Sequence, residues 1–132
     1  MNNKIDHLVI SVQDLDQSIK HFEQLGFQVF SGGRHQSIGS INALIPLQDH
    51  CYLELLAIDK TQPAKPSYPL GLPAKDPWQV SAFCIRGDID ALATLISDQL
   101  SVPLSVNSMS RDQGVQLIQW QLAFSNEIDH SL

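Results

Sequence analysis

Long apolar runs are missing from this sequence: no stretch approaches the roughly 18–20 residues that a membrane-spanning helix needs. The N-terminal residues also lack the apolar core of a signal peptide. Basic side chains are scarce, with 8 Lys and Arg against 14 Asp and Glu and a net charge of −6, which argues against nucleic-acid binding. These absences predict a cytoplasmic protein with no membrane and no nucleic-acid partner.

Cysteine is also scarce. Cys51 and Cys84 both lie in strand-like apolar stretches, which favours reduced core residues over a disulfide or a zinc pair. The sequence has no Gly-x-Ser-x-Gly, phosphate-loop, Cys-x-x-Cys or helical His-Glu-x-x-His motif. Its 132 residues and 43% hydrophobic content are typical of one globular domain.

One pattern occurs twice in this short chain. Each copy has a strand, an acidic helix start and an amphipathic helix: Leu8–Val12, Asp14–Asp16 and Gln17–Leu25 in the first, and Val80–Ile85, Asp88–Asp90 and Ala91–Leu100 in the second. The repeat predicts two similar modules packed around a shared cavity, and such a cavity favours a small-molecule or metal site.

The sequence of the first module predicts five elements in the order strand, helix, strand, strand, strand. The predicted strands are Ile5–Val12, Phe27–Phe30, Ile41–Leu47 and Tyr52–Ile58. Asp14 is expected to cap the helix together with Gln17, and Gly26 to end it. The pair Gly32-Gly33 is expected to close the second strand before a polar loop over Arg34–Ser40.

Five of the seven prolines lie in Asp59–Pro77, which excludes a helix or central strand there and predicts a linker. The second module follows, with strands predicted at Trp78–Ile85, Val102–Val106 and Val115–Phe124 and a polar turn at Asn107–Gly114. Its last strand is missing. The expected organisation is one domain: module one at 4–58, the linker at 59–77, module two at 78–124 and a tail at 125–132.

Two residues are the main candidates for chemistry. Strand alternation puts Leu8, Ile10 and Val12 on the helix-covered face, so His7 is predicted to lie on the opposite, concave face. Glu54 is a carboxylate in an apolar strand, which is costly unless it is paired or metal-bound. The two residues could form the kernel of a divalent metal site or a simple hydrogen-bonded pair.

The ordered motifs resemble the glyoxalase-like branch of the vicinal oxygen chelate superfamily. They are Ile5–Val9, Asp14–Asp16, Phe22 with Leu25–Phe27, Gly32–His35, Gly39, Asn42–Leu44 and Tyr52–Leu55, with weaker matches at Trp78, Asp88–Asp90 and Gln119–Leu122. The resemblance implies an α+β fold of paired βαβββ modules whose curled mixed sheet encloses a cavity. It also implies that His7 and Glu54 occupy two positions from which relatives such as glyoxalase I and extradiol dioxygenases bind Zn, Ni, Fe or Mn.

The second module departs from that pattern. The superfamily draws its other ligands from this module, but matching the two acidic motifs puts Ser81, a poor ligand, opposite His7. The counterpart of Glu54 belongs to the missing strand. His35, His50 or a residue of a partner chain remain candidates to complete the site.

Other residues are candidates for the ligand pocket. Arg34 and His35 could bind an acidic substrate group, and Asn42 could bind a ligand or satisfy a backbone group. Tyr52, Ser81 and Trp120 complete this set, with Trp120 also interpretable as packing.

Three functional interpretations stay open. The first is a metal-dependent lyase, isomerase or dioxygenase relative, with Glu54 catalytic and a degenerate site. The second is a non-catalytic protein of the bleomycin-resistance type that binds a drug or metabolite. The third is an accessory protein whose incomplete sheet pairs with another chain; the unpaired edge predicts a homodimer.

Overall fold

The structure, a computed structural model, describes residues 3–100, 104–113 and 116–125. The elements in chain order are β1 (Lys4–Val12), α1 (Leu15–Gln24), β2 (Phe30–His35), β3 (Ser40–Pro46), β4 (Tyr52–Ile58), β5 (Trp78–Arg86), α2 (Ile89–Leu100), β6 (Leu104–Gln113) and β7 (Gln116–Ser125). This mixed α+β order confirms the predicted fold class. The chain divides into two compact units. The first consists of Ile5–Cys84, and the second of Met1–Lys4 together with Ile85–Leu132.

Helix α1 begins and ends where its sequence signals predict. Asp14 has an extended backbone and its side chain accepts a hydrogen bond from the Gln17 N–H, so it satisfies one of the free donors of the first turn. Gly26 follows the helix with φ +96°, a conformation that costs glycine little. These two positions set the length of the helix that covers the sheet.

The first unit is built on a five-stranded mixed sheet with strand order β2-β3-β4-β1-β5. Strand β1 runs parallel to β4, whereas β3 is antiparallel to both β2 and β4. The face toward α1 is apolar. Its fully or nearly buried residues are Ile10, Val12, Ala43, Ile45, Leu55 and Ala57, and the helix packs Leu15, Ile19 and Phe22 against them. This cluster is the main hydrophobic core of the unit.

The opposite face of the sheet, here called the site face, carries the polar residues. The β1–β4 register pairs His7 with Tyr52 and Val9 with Glu54. Because side chains alternate along a strand, His7 and Val9 lie on the face that Ile10 and Val12 do not use. The predicted placement of His7 away from the helix-covered face agrees with this register.

The proline-rich segment Asp59–Pro77 packs on the sheet. Leu72 joins the buried residues Val9 and Leu56 in a second apolar cluster. Ser11 Oγ donates to the Leu70 carbonyl, and the Gln13 side chain donates to the carbonyls of Ala74 and Lys75. The segment has no helix or strand, as its prolines predict, but these contacts tie it to β1.

The second strand lies later than predicted. Phe27–Phe30 was expected to be the strand and Gly32-Gly33 its end, yet β2 runs over Phe30–His35, through both glycines. Ser31 pairs with Ala43 and Arg34 with Ile41, so two glycines stand opposite the single residue Asn42. The glycine pair is therefore a β-bulge inside the strand, where a missing Cβ is an advantage.

The second unit contains helix α2 and the hairpin of β6 and β7, which contact one another. The predicted turn at Asn107–Gly114 is wrong for most of its length, because β6 continues to Gln113. Alternating polar residues such as Ser108 and Ser110 are compatible with a strand as well as with a turn. The place of the missing last strand falls outside the described residues. Among the described helices, none is long and apolar enough to cross a bilayer.

Candidate functional site

His7 and Glu54 meet on the site face. The distance between His7 Nε2 and Glu54 Oε2 is 3.1 Å, and both side chains are 11% exposed. Strands β1 and β4 are hydrogen-bonded neighbours, and their parallel register brings the two residues to the same face. The structure thus places the two main candidates in direct contact.

Both ring nitrogens of His7 face carboxylates. Nδ1 lies 2.7 Å from Asp6 Oδ2, and the ring stacks on Tyr52 with centroids 4.5 Å apart. Burial by itself lowers the pKa of His7, but side-chain hydrogen bonds with Cys84, Glu54 and Asp6 raise it to about 10. Two carboxylate acceptors need two N–H donors, so the imidazole is held in its cationic form.

Glu54 is held from its other side by Asn42. Asn42 Nδ2 donates to Glu54 Oε1 at 3.0 Å, and Asn42 Oδ1 accepts from the Gly33 N–H at 2.8 Å. Burial raises the pKa of Glu54, whereas the hydrogen bonds from His7 and Asn42 lower it, and the net direction is down. The carboxylate is therefore ionised although it is buried.

His35 lies at the end of β2, opposite Ser40 on β3. It is buried, and its Nδ1 is 2.8 Å from Ser40 Oγ. Its charge also contributes to the lowered pKa of Glu54. His35 thus belongs to the polar surroundings of Glu54.

Arg34 is engaged by the chain itself. Its Nη1 donates to both carboxylate oxygens of Asp59 at 2.6 Å and to Thr61 Oγ1 at 2.7 Å. Asp59 is buried, while the Arg34 side chain is 49% exposed. Through these hydrogen bonds, Arg34 anchors the start of the proline-rich segment. Any contact with a substrate would be additional.

Ser81 bonds to Ser11 through their hydroxyls at 2.7 Å. Cys84, further along β5, is near enough to His7 to raise its pKa, and it packs beside the cluster of Val9 and Leu56. Both Cys84 and Cys51 are free thiols. Trp120 lies in β7, but its side chain is outside the described part of the chain.

The geometry of His7 and Glu54 fits two positions of a divalent metal. Two ligand atoms about 2.1 Å from a metal and at right angles to each other are about 3.0 Å apart, close to the observed 3.1 Å. A carboxylate on the far nitrogen of a histidine and an amide on a carboxylate ligand are typical supports. Within residues 3–100, 104–113 and 116–125, no group of three His, Cys, Asp or Glu that could hold a metal is formed.

A surface groove lies away from these residues. It has a volume of about 390 Å³ beside the start of α1, with His21, Lys20 and Trp78 among its lining residues. His21 stacks on Trp78 at 4.2 Å, so the aromatic face is already covered. The buried, mutually bonded ionisable groups at His7 and Glu54 are the stronger indication of a functional site.

Three residues with a role at or near the site were not predicted from the sequence. The only sequence feature that could have indicated Asp6 is its position next to His7. The only one for Cys84 is its position in a predicted strand. Asp59 is the first residue after β4, and nothing in the sequence links it to Arg34, 25 positions away.

The element order and the mixed sheet are those of the vicinal oxygen chelate fold. The model of the glyoxalase-like domain family matches residues 5–131. The chain belongs to this family and thereby to the vicinal oxygen chelate superfamily. Comparison with curated protein sequences gives no match.

Several solved structures share the fold. A hypothetical protein from Staphylococcus aureus superimposes with a TM-score of 0.71 at 22% identity, covering 97% of this chain and 55% of its own, so this chain spans about half of it. A methylmalonyl-CoA epimerase from Streptomyces coelicolor gives 0.60 at 23% identity, over 83% and 86% of the two chains. Another methylmalonyl-CoA epimerase, bound to methylmalonyl-CoA and NH4+, gives 0.64 at 21% identity, over 98% and 99%.

Proposed function

We propose that this protein is a metal-dependent enzyme of the lyase or isomerase type, with His7 and Glu54 as two ligands of a divalent cation. The observation that carries the proposal is the 3.1 Å approach of His7 Nε2 and Glu54 Oε2 on a largely buried face. The family assignment supports it, because members of the superfamily commonly use divalent metals. Zn, Ni, Fe and Mn are the candidate metals, since imidazole and carboxylate ligands suit each of them.

The chain's own residues prepare this site. Asp6 accepts the Nδ1–H of His7, which leaves Nε2 as the nitrogen that faces Glu54. Binding requires Nε2 to lose its proton. Asn42 holds Oε1 of Glu54, which leaves Oε2 directed at the same point. The stacked ring of Tyr52 fixes the plane of the imidazole.

A bound divalent cation supplies Lewis-acid polarisation of a carbonyl or of two neighbouring oxygens. The substrate class is therefore a small molecule with two oxygens that can chelate, such as a carboxylate or thioester beside a carbonyl. The epimerases that share the fold act on such an acyl thioester, which supports this class. Glu54 is the proposed catalytic residue, because an ionised, largely buried carboxylate at this point can exchange a proton with a substrate.

The decisive experiment is metal binding by the purified protein. We expect Ni²⁺ or Zn²⁺ to bind with one site per chain in calorimetry, and His7→Ala or Glu54→Gln to weaken binding at least 10-fold because each removes a ligand. Matched controls are Asp49→Asn and Glu23→Gln, both at exposed positions. Asn suits position 49, where φ is 59°.

The controls should bind as the wild type does. Absence of metal from the isolated protein, with no uptake of added Ni²⁺, Zn²⁺, Fe²⁺ or Mn²⁺, would contradict the proposal. Equal weakening by Glu23→Gln and Glu54→Gln would contradict the assignment of Glu54, and unchanged binding in His7→Ala would contradict the assignment of His7.

A second candidate function is non-catalytic binding of a drug or metabolite, as in bleomycin-resistance proteins. It is favoured by the two-ligand set, since the described residues offer no third ligand in place. A thermal-shift screen against metabolites and aromatic antibiotics tests it. Stabilisation that persists in His7→Ala and in chelator supports this function; no stabilisation by any compound counts against it.

We further propose that the protein is a homodimer. Module two has the three strands β5, β6 and β7 in the described part of the chain, against four in module one. A strand edge without a neighbour invites pairing with a second copy. Light scattering after gel filtration should give twice the chain mass of 14.7 kDa; a monomer at micromolar concentrations would contradict the proposal.

We also propose a cytoplasmic location. Two free, partly buried thiols support it, because reducing compartments preserve such groups. Cell fractionation tests the location directly.

A further inference from the structure

We infer that Asn42 is the positioning residue of Glu54, and that the glycine bulge of β2 fixes Asn42 in that task. The inference rests on the proposed function of Glu54 but concerns residues on two other strands. The Gly33 N–H donates to Asn42, Asn42 donates to Glu54, and Glu54 also accepts from His7. This series of hydrogen bonds crosses the neighbouring strands β2, β3, β4 and β1 in that order.

The bulge has the geometry this task needs. Gly32 and Gly33 both stand opposite Asn42, so the Gly33 N–H is released from the regular ladder and donates to Asn42 Oδ1 at 2.8 Å. A Cβ at Gly32 would overlap Asn42 Oδ1. Glycine is therefore required at position 32 for the Asn42 side chain to lie where it does.

The polarity of the amide then determines what Glu54 does. Because Oδ1 accepts from Gly33, Nδ2 is the end that faces Glu54, and Nδ2 can only donate. Oε1 of Glu54 is thereby occupied, and Oε2 alone is presented to His7 and to a metal. We expect Glu54 to bind a cation through one oxygen.

Two substitutions test the inference: Asn42→Leu at the amide itself, and Gly32→Ala at the bulge that positions the amide. Asn42→Leu keeps the side-chain size and removes both hydrogen bonds; Gly32→Ala leaves Glu54 itself unchanged and displaces the Asn42 side chain. Each should weaken Ni²⁺ binding about 10- to 100-fold. Asn42→Ala removes the side-chain atoms that a Cβ at position 32 would meet, so Gly32→Ala combined with Asn42→Ala should bind no more weakly than Asn42→Ala alone.

Ser31→Ala is the matched control for Gly32→Ala, since Ser31 is an exposed neighbour on β2. It should leave the affinity unchanged. Circular dichroism verifies that each variant folds. Should Gly32→Ala fail to fold, Asn42→Leu decides the metal experiment alone.

A second measurement needs no metal. In the metal-free protein, NMR reports the Gly33 amide, the Glu54 carboxyl carbon and the His7 ring nitrogens. Asn42→Asp keeps the acceptor for Gly33 and removes the donor to Glu54. It should preserve the Gly33 amide signal and shift those of Glu54 and His7, whereas Asn42→Leu should change all three.

The two proposals fail in different ways. Wild-type protein that binds no Ni²⁺ overturns the metal function, and the NMR result still decides the role of Asn42. Unchanged Glu54 and His7 signals in Asn42→Leu and Asn42→Asp overturn the inference, whatever the metal result. Additive losses for Gly32→Ala and Asn42→Ala overturn the link to the bulge.

Discussion

Individual ionisable residues in this protein are held by two separate clusters. In the first, His7 is paired with Asp6 and Glu54. In the second, Arg34 and Asp59 connect β2 to the proline-rich segment. The first has the features of a functional site, because its groups are largely buried and meet at one point. The second has the features of an anchor, since its cation is half exposed and its anion is saturated.

Asp59 gives a prediction about acid stability. Burial raises the pKa of Asp59, but hydrogen bonds from Arg34, Thr61 and Gln62 outweigh it and hold the pKa well below the model-peptide value of 3.8. A lowered folded-state pKa stabilises the protein above pH 3.8, and that stability is lost as the pH falls further. Asp59→Asn should therefore cost about 1 kcal/mol at pH 7, a low figure because Arg34 is half exposed.

The difference between wild type and Asp59→Asn should be constant above about pH 5 and shrink below pH 4. Urea unfolding at a series of pH values measures it. Asp49→Asn is the control, because Asp49 is exposed and its φ of 59° also suits Asn. A difference that grows on acidification would contradict the prediction.

Among single residues, the alternation of β1 and β4 was enough to predict which face His7 and Glu54 share. The partners of both residues were not predictable in the same way. Asn42 could be recognised only as a polar residue in an apolar strand. Whether its side chain hydrogen-bonds a ligand or a backbone group depends on the β2–β3 register. The structure shows both a backbone and a side-chain partner for it.

Elements with strong local signals were predicted well. The bounds of β4, Tyr52–Ile58, agree with the sequence prediction, and α1 has the predicted cap at Asp14. The prediction placed β2 too early, because a glycine pair usually ends a strand. Here the pair forms a bulge that contacts Asn42 on the neighbouring strand β3. Such a use of glycine depends on long-range contacts and leaves no local pattern.

The proline-rich segment yields a prediction at the level of the element. Leu72 is 7% exposed and packs with Val9 and Leu56, so Leu72→Ala should reduce the free energy of unfolding by about 2 to 3 kcal/mol. A flexible linker would show no such loss. Leu47→Ala, at a leucine that is 41% exposed, is the control and should cost much less. Urea unfolding distinguishes the two outcomes.

At the scale of the whole molecule, the family match extends over residues 5–131. The first unit contains the sheet, the main core and all the described residues of the candidate site. The sequence resemblance was likewise denser over module one. A catalytic role for the second unit rests on residues whose side chains lie outside the described set.

Metal binding should stabilise the molecule as a whole. A ligand that binds only the folded state adds about 2.7 kcal/mol at 100 times its dissociation constant. We expect Ni²⁺ at that excess to raise the thermal midpoint by several degrees. Glu54→Gln should abolish the rise, and Glu23→Gln should not. A rise of the same size in Glu54→Gln would indicate binding at another place.

Strand β1 contributes to the core and to the candidate site with alternate residues: Ile10 and Val12 toward the helix, His7 and Val9 toward the other side. A shift of β1 by one residue would exchange the two sets, carrying His7 under α1 and away from Glu54 while aliphatic side chains turn to the site face. Substitutions on one face of β1 can therefore alter this chemistry and spare the core, whereas a change of register disturbs both.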